Sequence, residues 1–174
     1  MSRGAFVGTI LLAIPCSLLA QVVTGNDAVR IEVRAQSDQN RKDIKGTTAD
    51  TITQNKTLSI TISGKAKSPE TRKGKWVAYG RDLKAGALDV LESGEFKVDL
   101  ASGSQKIESK KISVTYTPEH AVVSTSGSSR SRRTTAKKVA AEGSKFAGYI
   151  VTVKDGGKIV GQWADPPGLE KETK

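Results

Sequence analysis

The chain has almost none of the residues on which metal centres, disulfide frameworks and imidazole chemistry depend. Its 174 residues include one cysteine, Cys16, and one histidine, His120. A single Cys excludes a disulfide scaffold and a Cys-based zinc site. A zinc site needs three or four N, S or carboxylate ligands that converge, and no segment has that spacing. Aromatic residues make up 5% of the chain, and none lies between Arg130 and Lys138, which argues against a base-stacking platform for single-stranded nucleic acid. Beyond residue 20 no run is apolar enough to cross a bilayer. Seventeen glycines follow no three-residue period, which excludes collagen. Acid is scarce as well. There are 18 Asp+Glu against 28 Lys+Arg, for a formal charge of +10.

What is present begins with an export pattern. Arg3 precedes an apolar run, Ala5 to Ile14, which ends at Pro15 and is followed by Ser17-Leu18-Leu19-Ala20. This reads as a signal peptide over residues 1–20, with 21–26 as a linker and cleavage after Ala20 or slightly later. The run is short for a membrane anchor. Pro15 stands where a lipidated Cys16 would want a small residue, so the reading is export without a lipid. The destination is the periplasm, the cell surface or the medium. A chain of about 150 residues buries roughly 68–70% of its unfolded surface, so no disulfide is needed outside the cytoplasm.

The remainder reads as one domain, residues 27–169. Period-two alternation dominates it: Val29, Ile31, Val33; Leu58, Ile60, Ile62; Phe96, Val98, Leu100; Ile112, Val114, Tyr116. Each run places apolar groups on one side of a pleated strand and polar groups on the other. Trp76–Tyr79 and Tyr149–Val153 are apolar on both faces and read as central strands. Asp155-Gly156-Gly157 then supplies a tight hairpin turn before Lys158–Trp163, and Pro166-Pro167-Gly168 ends that strand. Leu88–Glu92 is read as a short strand in preference to a helix over Leu83, Ala87, Val90 and Leu91, because Gly80, Gly86 and Gly94 flank or interrupt it. Ser37–Asn55 is a polar interruption. Residues 118–145 form a long basic Ser/Arg/Lys-rich loop, with a turn or two of helix over Ala136–Glu142. Residues 170–174 are a frayed charged tail. The expected fold is all-β, an antiparallel immunoglobulin-like or fibronectin-like sandwich of about seven or eight strands.

No catalytic constellation stands out. His120 follows Pro118-Glu119 and reads as a turn residue. A Ser nucleophile would need it as base, with Ser113, Ser124 or Ser126 nearby, and no G-x-S-x-G elbow occurs. Asp89, Glu92, Glu95 and Asp99 cluster in sequence, but alternation puts Glu95 and Asp99 on the polar side of one strand with Lys97 between them. Gly156-Gly157 is a hairpin turn and not a phosphate loop. Trp163 reads as an edge-of-core residue before a carbohydrate platform. Asn55-Lys56-Thr57 matches a glycosylation sequon.

Two basic loops, each joining a pair of strands, are the strongest nonrandom feature. Arg130, Arg132, Arg133, Lys137 and Lys138 lie in a stretch without acid. Lys65, Lys67, Arg72, Lys73 and Lys75 are opposed by Glu70 alone. If both emerged at one end of the domain they would form a positive cap for a polyanion, with Ser128, Ser129, Ser131, Thr134 and Thr135 as hydroxyl donors. In an exported protein this points to an anionic envelope component or polysaccharide.

The run Phe146–Val160, with Pro167-Gly168-Leu169, Trp76–Gly80 and Leu91–Gly94, resembles small secreted bacterial β-sandwich proteins. That resemblance implies an exported, immunoglobulin-like domain and transfers no activity or site. The expected function is a non-enzymatic binding or accessory domain without a cofactor, acting through the basic segments on an anionic polymer. A protein–protein module pairing through a sheet edge is the alternative, and a small hydrolase using the carboxylate cluster is a third.

Overall fold

The computed structural model describes residues 29–44, 47, 49–64, 72–126 and 133–173. The signal-peptide and linker assignments, 1–26, therefore lie outside the described residues. Every strand pair described is antiparallel. The elements are β1 (Arg30–Asp43), β2 (Asp50–Ser63), β3 (Arg72–Asp82), β4 (Leu88–Lys97), β5 (Ser104–Glu108), β6 (Ile112–Thr117), β7 (His120–Ser126), β8 (Arg133–Val139), β9 (Glu142–Asp155), β10 (Lys158–Asp165) and a one-turn helix, α1 (Leu169–Glu172).

Two long strands organise the molecule. β2 carries β1 along one edge, and its other edge is shared by β6 and β5 in succession. β9 carries β3 along one edge, and its other edge is shared by β6 and β10. The β6–β9 junction is only Tyr116↔Gly143 and Thr117↔Glu142, and it joins two half-sheets into one eight-stranded sheet. Between β5 and β6, β2 would lack partners. Buried Ser109 fills the gap: its Oγ accepts from Leu58 N at 2.8 Å and its own N–H donates to Leu58 O at 2.8 Å.

Alternation explains the core. Ile31 and Val33 of β1, Leu58, Ile60 and Ile62 of β2, Trp76 and Ala78 of β3, Val151 and Val153 of β9 and Trp163 of β10 join one buried cluster drawn from both half-sheets. Leu58, Ile60 and Ile62 are fully buried, each contributing about 1.5–3 kcal/mol. Aromatic rings fold over cross-strand glycines between β3 and β4. Gly74 pairs with Phe96 and Trp76 with Gly94. A Cβ on Gly74 would fall 2.0 Å from Phe96 Cε2, and one on Gly94 would fall 2.6 Å from Trp76 Nε1. The glycines make room for rings that fill the space between the half-sheets.

The expected hairpin at Asp155–Lys158 is present, with Gly156 and Gly157 at φ 53° and 89°, the left-handed pair that a two-residue turn requires. The strand at Leu88 is present and runs on to Lys97. Val98 and Leu100 stay buried although the strand has ended.

Four expectations are corrected. Ser37–Asn55 is a long hairpin arm: β1 and β2 pair in unbroken register from Arg30↔Ser63 to Asp43↔Asp50. Asn55 is buried and donates Nδ2 to Asp38 Oδ1 at 2.6 Å, so the sequon asparagine is not presented to solvent. Residues 118–145 are not one loop, because β7 and β8 pair from His120↔Val139 to Ser126↔Arg133. Residues 127–132 lie outside the described residues. Ala136–Glu142 is not helical, since it spans the end of β8 and the start of β9. The C-terminal segment is not frayed. Leu169 is buried against Ile150 and Ala164, and Arg81 Nη2 pairs with Glu172 at 2.6 Å.

Candidate functional site

Among the described residues, Arg72, Lys73 and Lys75 of the first basic segment begin β3, and Lys137 and Lys138 of the second lie on β8. Arg72 pairs with Asp155 at one end of β3, and Asp82 pairs with Ser144 at the other. The β7–β8 hairpin springs from the β6–β9 junction, beside that second end. Ten residues of strand separate the ends, about 33 Å at the usual rise.

Within each segment the cations have different fates. Lys65, Lys67, Arg130 and Arg132 lie outside the described residues, and Arg133 is placed only by its backbone register opposite Ser126. Arg72 is buried, and its Nε donates to Asp155 Oδ2 at 3.0 Å. It is therefore a structural ion pair and not an exposed ligand. Lys138 pairs with Glu119 at 2.9 Å. Register places Lys137 on the opposite side of the ribbon from Lys138. Ser124 and Thr135, on the Lys137 side, hydrogen-bond to each other at 2.9 Å between their hydroxyls.

Lys73 and Lys75 are exposed on the outer face of β3, and the register gives them company. Lys73 stands directly opposite Lys97 of β4 on one side and Lys154 of β9 on the other. These lysines form a row across three neighbouring strands, about 4.8 Å apart from strand to strand. Ile159 of β10 continues the row and is 44% exposed. The next row is Glu95, Lys75, Thr152 and Gln162. Among the described residues none of Lys73, Lys75, Lys97 and Lys154 makes an ion pair. Farther along the same face the surface turns apolar: Ile150 and Ala164 are covered by Leu169, with Tyr79 and Leu88 packed alongside. The open strip is thus polar, cationic and bounded by α1.

Lys97 and Lys154 were not singled out from sequence. Lys97 is the one cation of β4, and Lys154 lies nine residues from Lys145, the other cation of β9. Their proximity exists only once β4, β3 and β9 are in register.

The catalytic candidates do not converge. Glu95 lies opposite Lys75 on the outer face, while Glu92 lies opposite buried Ala78 and Asp89 opposite Gly80. Asp99 uses Oδ1 to accept from Ala101 N at 2.9 Å. His120 Nδ1 lies 3.0 Å from Pro118 O. Ser124 and Ser126 are four and six residues farther along the same strand, about 13 and 20 Å away, well beyond hydrogen-bond reach. Ser113 is an exposed residue of β6. Trp163 is buried in the core. Among the described residues no three His, Cys, Asp or Glu side chains group as metal ligands, and no helix is long and apolar enough to cross a membrane. The Asp82 carboxylate is perturbed. Asp82 accepts from Ala85 N at 2.6 Å and Lys84 N at 2.8 Å, and these bonds, with the nearby Lys84 charge, hold it below the ordinary carboxylate range. It closes the turn after β3.

No family model, no curated protein and no solved structure matches this chain, so the surface stands on its own geometry.

Proposed function

We propose that this is an exported, non-enzymatic binding domain of immunoglobulin-like sandwich type that engages an anionic polymer of the cell envelope or its surroundings. The sandwich reading is supported by the shared core between the two half-sheets. The export reading rests on the apolar N-terminal run. The observation that carries the binding function is the unpaired row Lys97–Lys73–Lys154 with Lys75 beside it. Like charges directly opposite one another weaken a sheet, and an anion lying across the row offsets that repulsion.

The test is retention of the purified protein on a panel of immobilised polyanions as a function of salt, beside a variant with all four lysines changed to Ser. Retention well above physiological ionic strength by at least one polymer, lost in the variant, supports the reading. Co-elution of parent and variant from every polymer at low salt removes it.

A protein–protein role has one observation in its favour. Among the described residues β1 pairs only with β2, and its residues from Arg34 to Asp43 are all exposed, which leaves one backbone edge open along the arm. A monomer in light scattering, with no protein captured from envelope extracts, removes this second reading.

A further inference from the structure

Resting on the anion-binding reading, we infer that the outer face of β4, β3, β9 and β10 is a subsite for a linear acidic polysaccharide running across the strands, its successive carboxylates or sulfates meeting Lys97, Lys73 and Lys154.

The spacing comes first. Neighbouring strands are about 4.8 Å apart, comparable to the advance of one sugar ring along a chain. The row thus presents one ammonium per strand to a polymer that carries one anion per residue or per few residues. The neighbouring groups come second. Thr152 and Gln162, in the next row, supply a hydroxyl and an amide for sugar hydroxyls. Exposed Ile159, at the end of the lysine row, offers an apolar contact to the C–H face of a ring. Third is what the strip lacks: its two rows, Lys97–Lys73–Lys154–Ile159 and Glu95–Lys75–Thr152–Gln162, contain no aromatic ring. Single-stranded nucleic acid depends on base stacking, and the strip offers it nothing. The cations are lysines, which act as mobile point charges and do not demand the bidentate geometry that arginine gives to phosphate. Finally, the covered patch formed by Leu169, Ile150 and Ala164 limits the site along the strand direction, so a bound chain would run across the strands.

The experiment compares the parent protein, K73Q/K97Q/K154Q and a charge-matched control, K106Q/K110Q/K111Q, in binding to polygalacturonate, dextran sulfate, inorganic polyphosphate and single-stranded DNA over a salt series. The control lysines are exposed, and Lys106 lies on β5, outside the proposed face. Circular dichroism and thermal unfolding establish that each variant is folded. The expected result is that the parent prefers polygalacturonate or dextran sulfate over polyphosphate and DNA. The ladder variant should lose about tenfold or more in affinity, while the control loses much less. Equal losses in both variants overturn the inference, because the charge then acts generically. Tighter binding to polyphosphate or DNA, lost in the ladder variant, overturns the polysaccharide assignment and leaves the anion-binding reading intact. Absence of binding to every polymer overturns both.

Discussion

The lysine row makes a prediction about stability that is independent of any ligand. Lys73 faces a like charge on each side, Lys97 and Lys154. A cross-strand pair is worth roughly 0.2–1 kcal/mol, and a like-charged one is unfavourable by similar amounts. Exposure lets the ammonium groups splay and lets water screen them, so the lower part of that range applies to each contact. Removing the central charge in Lys73→Gln should therefore stabilise the protein by about 0.5–1 kcal/mol in low salt, a rise in Tm of about 1–4 °C for a domain of this size. Lys75 is the internal control. It lies two residues along the same strand and on the same face, but opposite Glu95 and Thr152. Lys75→Gln should be neutral or slightly destabilising. The assay is thermal or urea unfolding at 10 mM and 1 M salt, where the Debye length falls from about 30 Å to about 3 Å. The gain in Lys73→Gln should disappear at high salt. A loss of stability in Lys73→Gln at low salt, or a gain of the same size at 1 M salt, would refute the argument that the row is electrostatically strained.

Further outcomes follow from the core and the turns. Leu58→Ala empties a fully buried position between the half-sheets and should cost about 2–5 kcal/mol in urea unfolding. Asp155→Ala strands the Arg72 guanidinium, whose side chain is 5% exposed. It should destabilise by about 3 kcal/mol or more, whereas Arg72→Met leaves a partly exposed carboxylate and should cost clearly less in the same assay. Asp82→Ala removes the acceptor for Lys84 N and Ala85 N. Because the folded carboxyl titrates below its ordinary range, its contribution is present at neutral pH and lost as pH falls through the depressed value. Unfolding measured from pH 7 downward should show the gap between Asp82→Ala and the parent closing in acid.

Local chemistry made much of this protein legible in its sequence. Alternating Val, Ile and Leu marked β1, β2 and β6, because a half-buried strand must sort its side chains by parity, and a run apolar on both faces marked β9. Gly156-Gly157 marked the closing hairpin, because only glycine takes two successive left-handed residues without strain. The arm from Ser37 to Asn55 and the ribbon from His120 to Val139 were not legible. Their strands are held largely by backbone ladders and face solvent, so no hydrophobic period announces them. Leu169 could not be read as an anchor either, since its burial depends on Ile150 and Ala164, which are close to it only in the fold.

The functional surface divides along the same line. By itself the sequence determined the excess of positive charge, the shortage of catalytic groups and the strand of Lys97, whereas Lys73 and Lys75 read as part of a loop and stand on β3. Tertiary structure alone decided that Arg72 is buried against Asp155 and that Lys97, Lys73 and Lys154 form one row. The physical reason is that strand parity is set by neighbours in the chain, whereas register is set by which strands pair and how far each is shifted, and that choice belongs to the whole core.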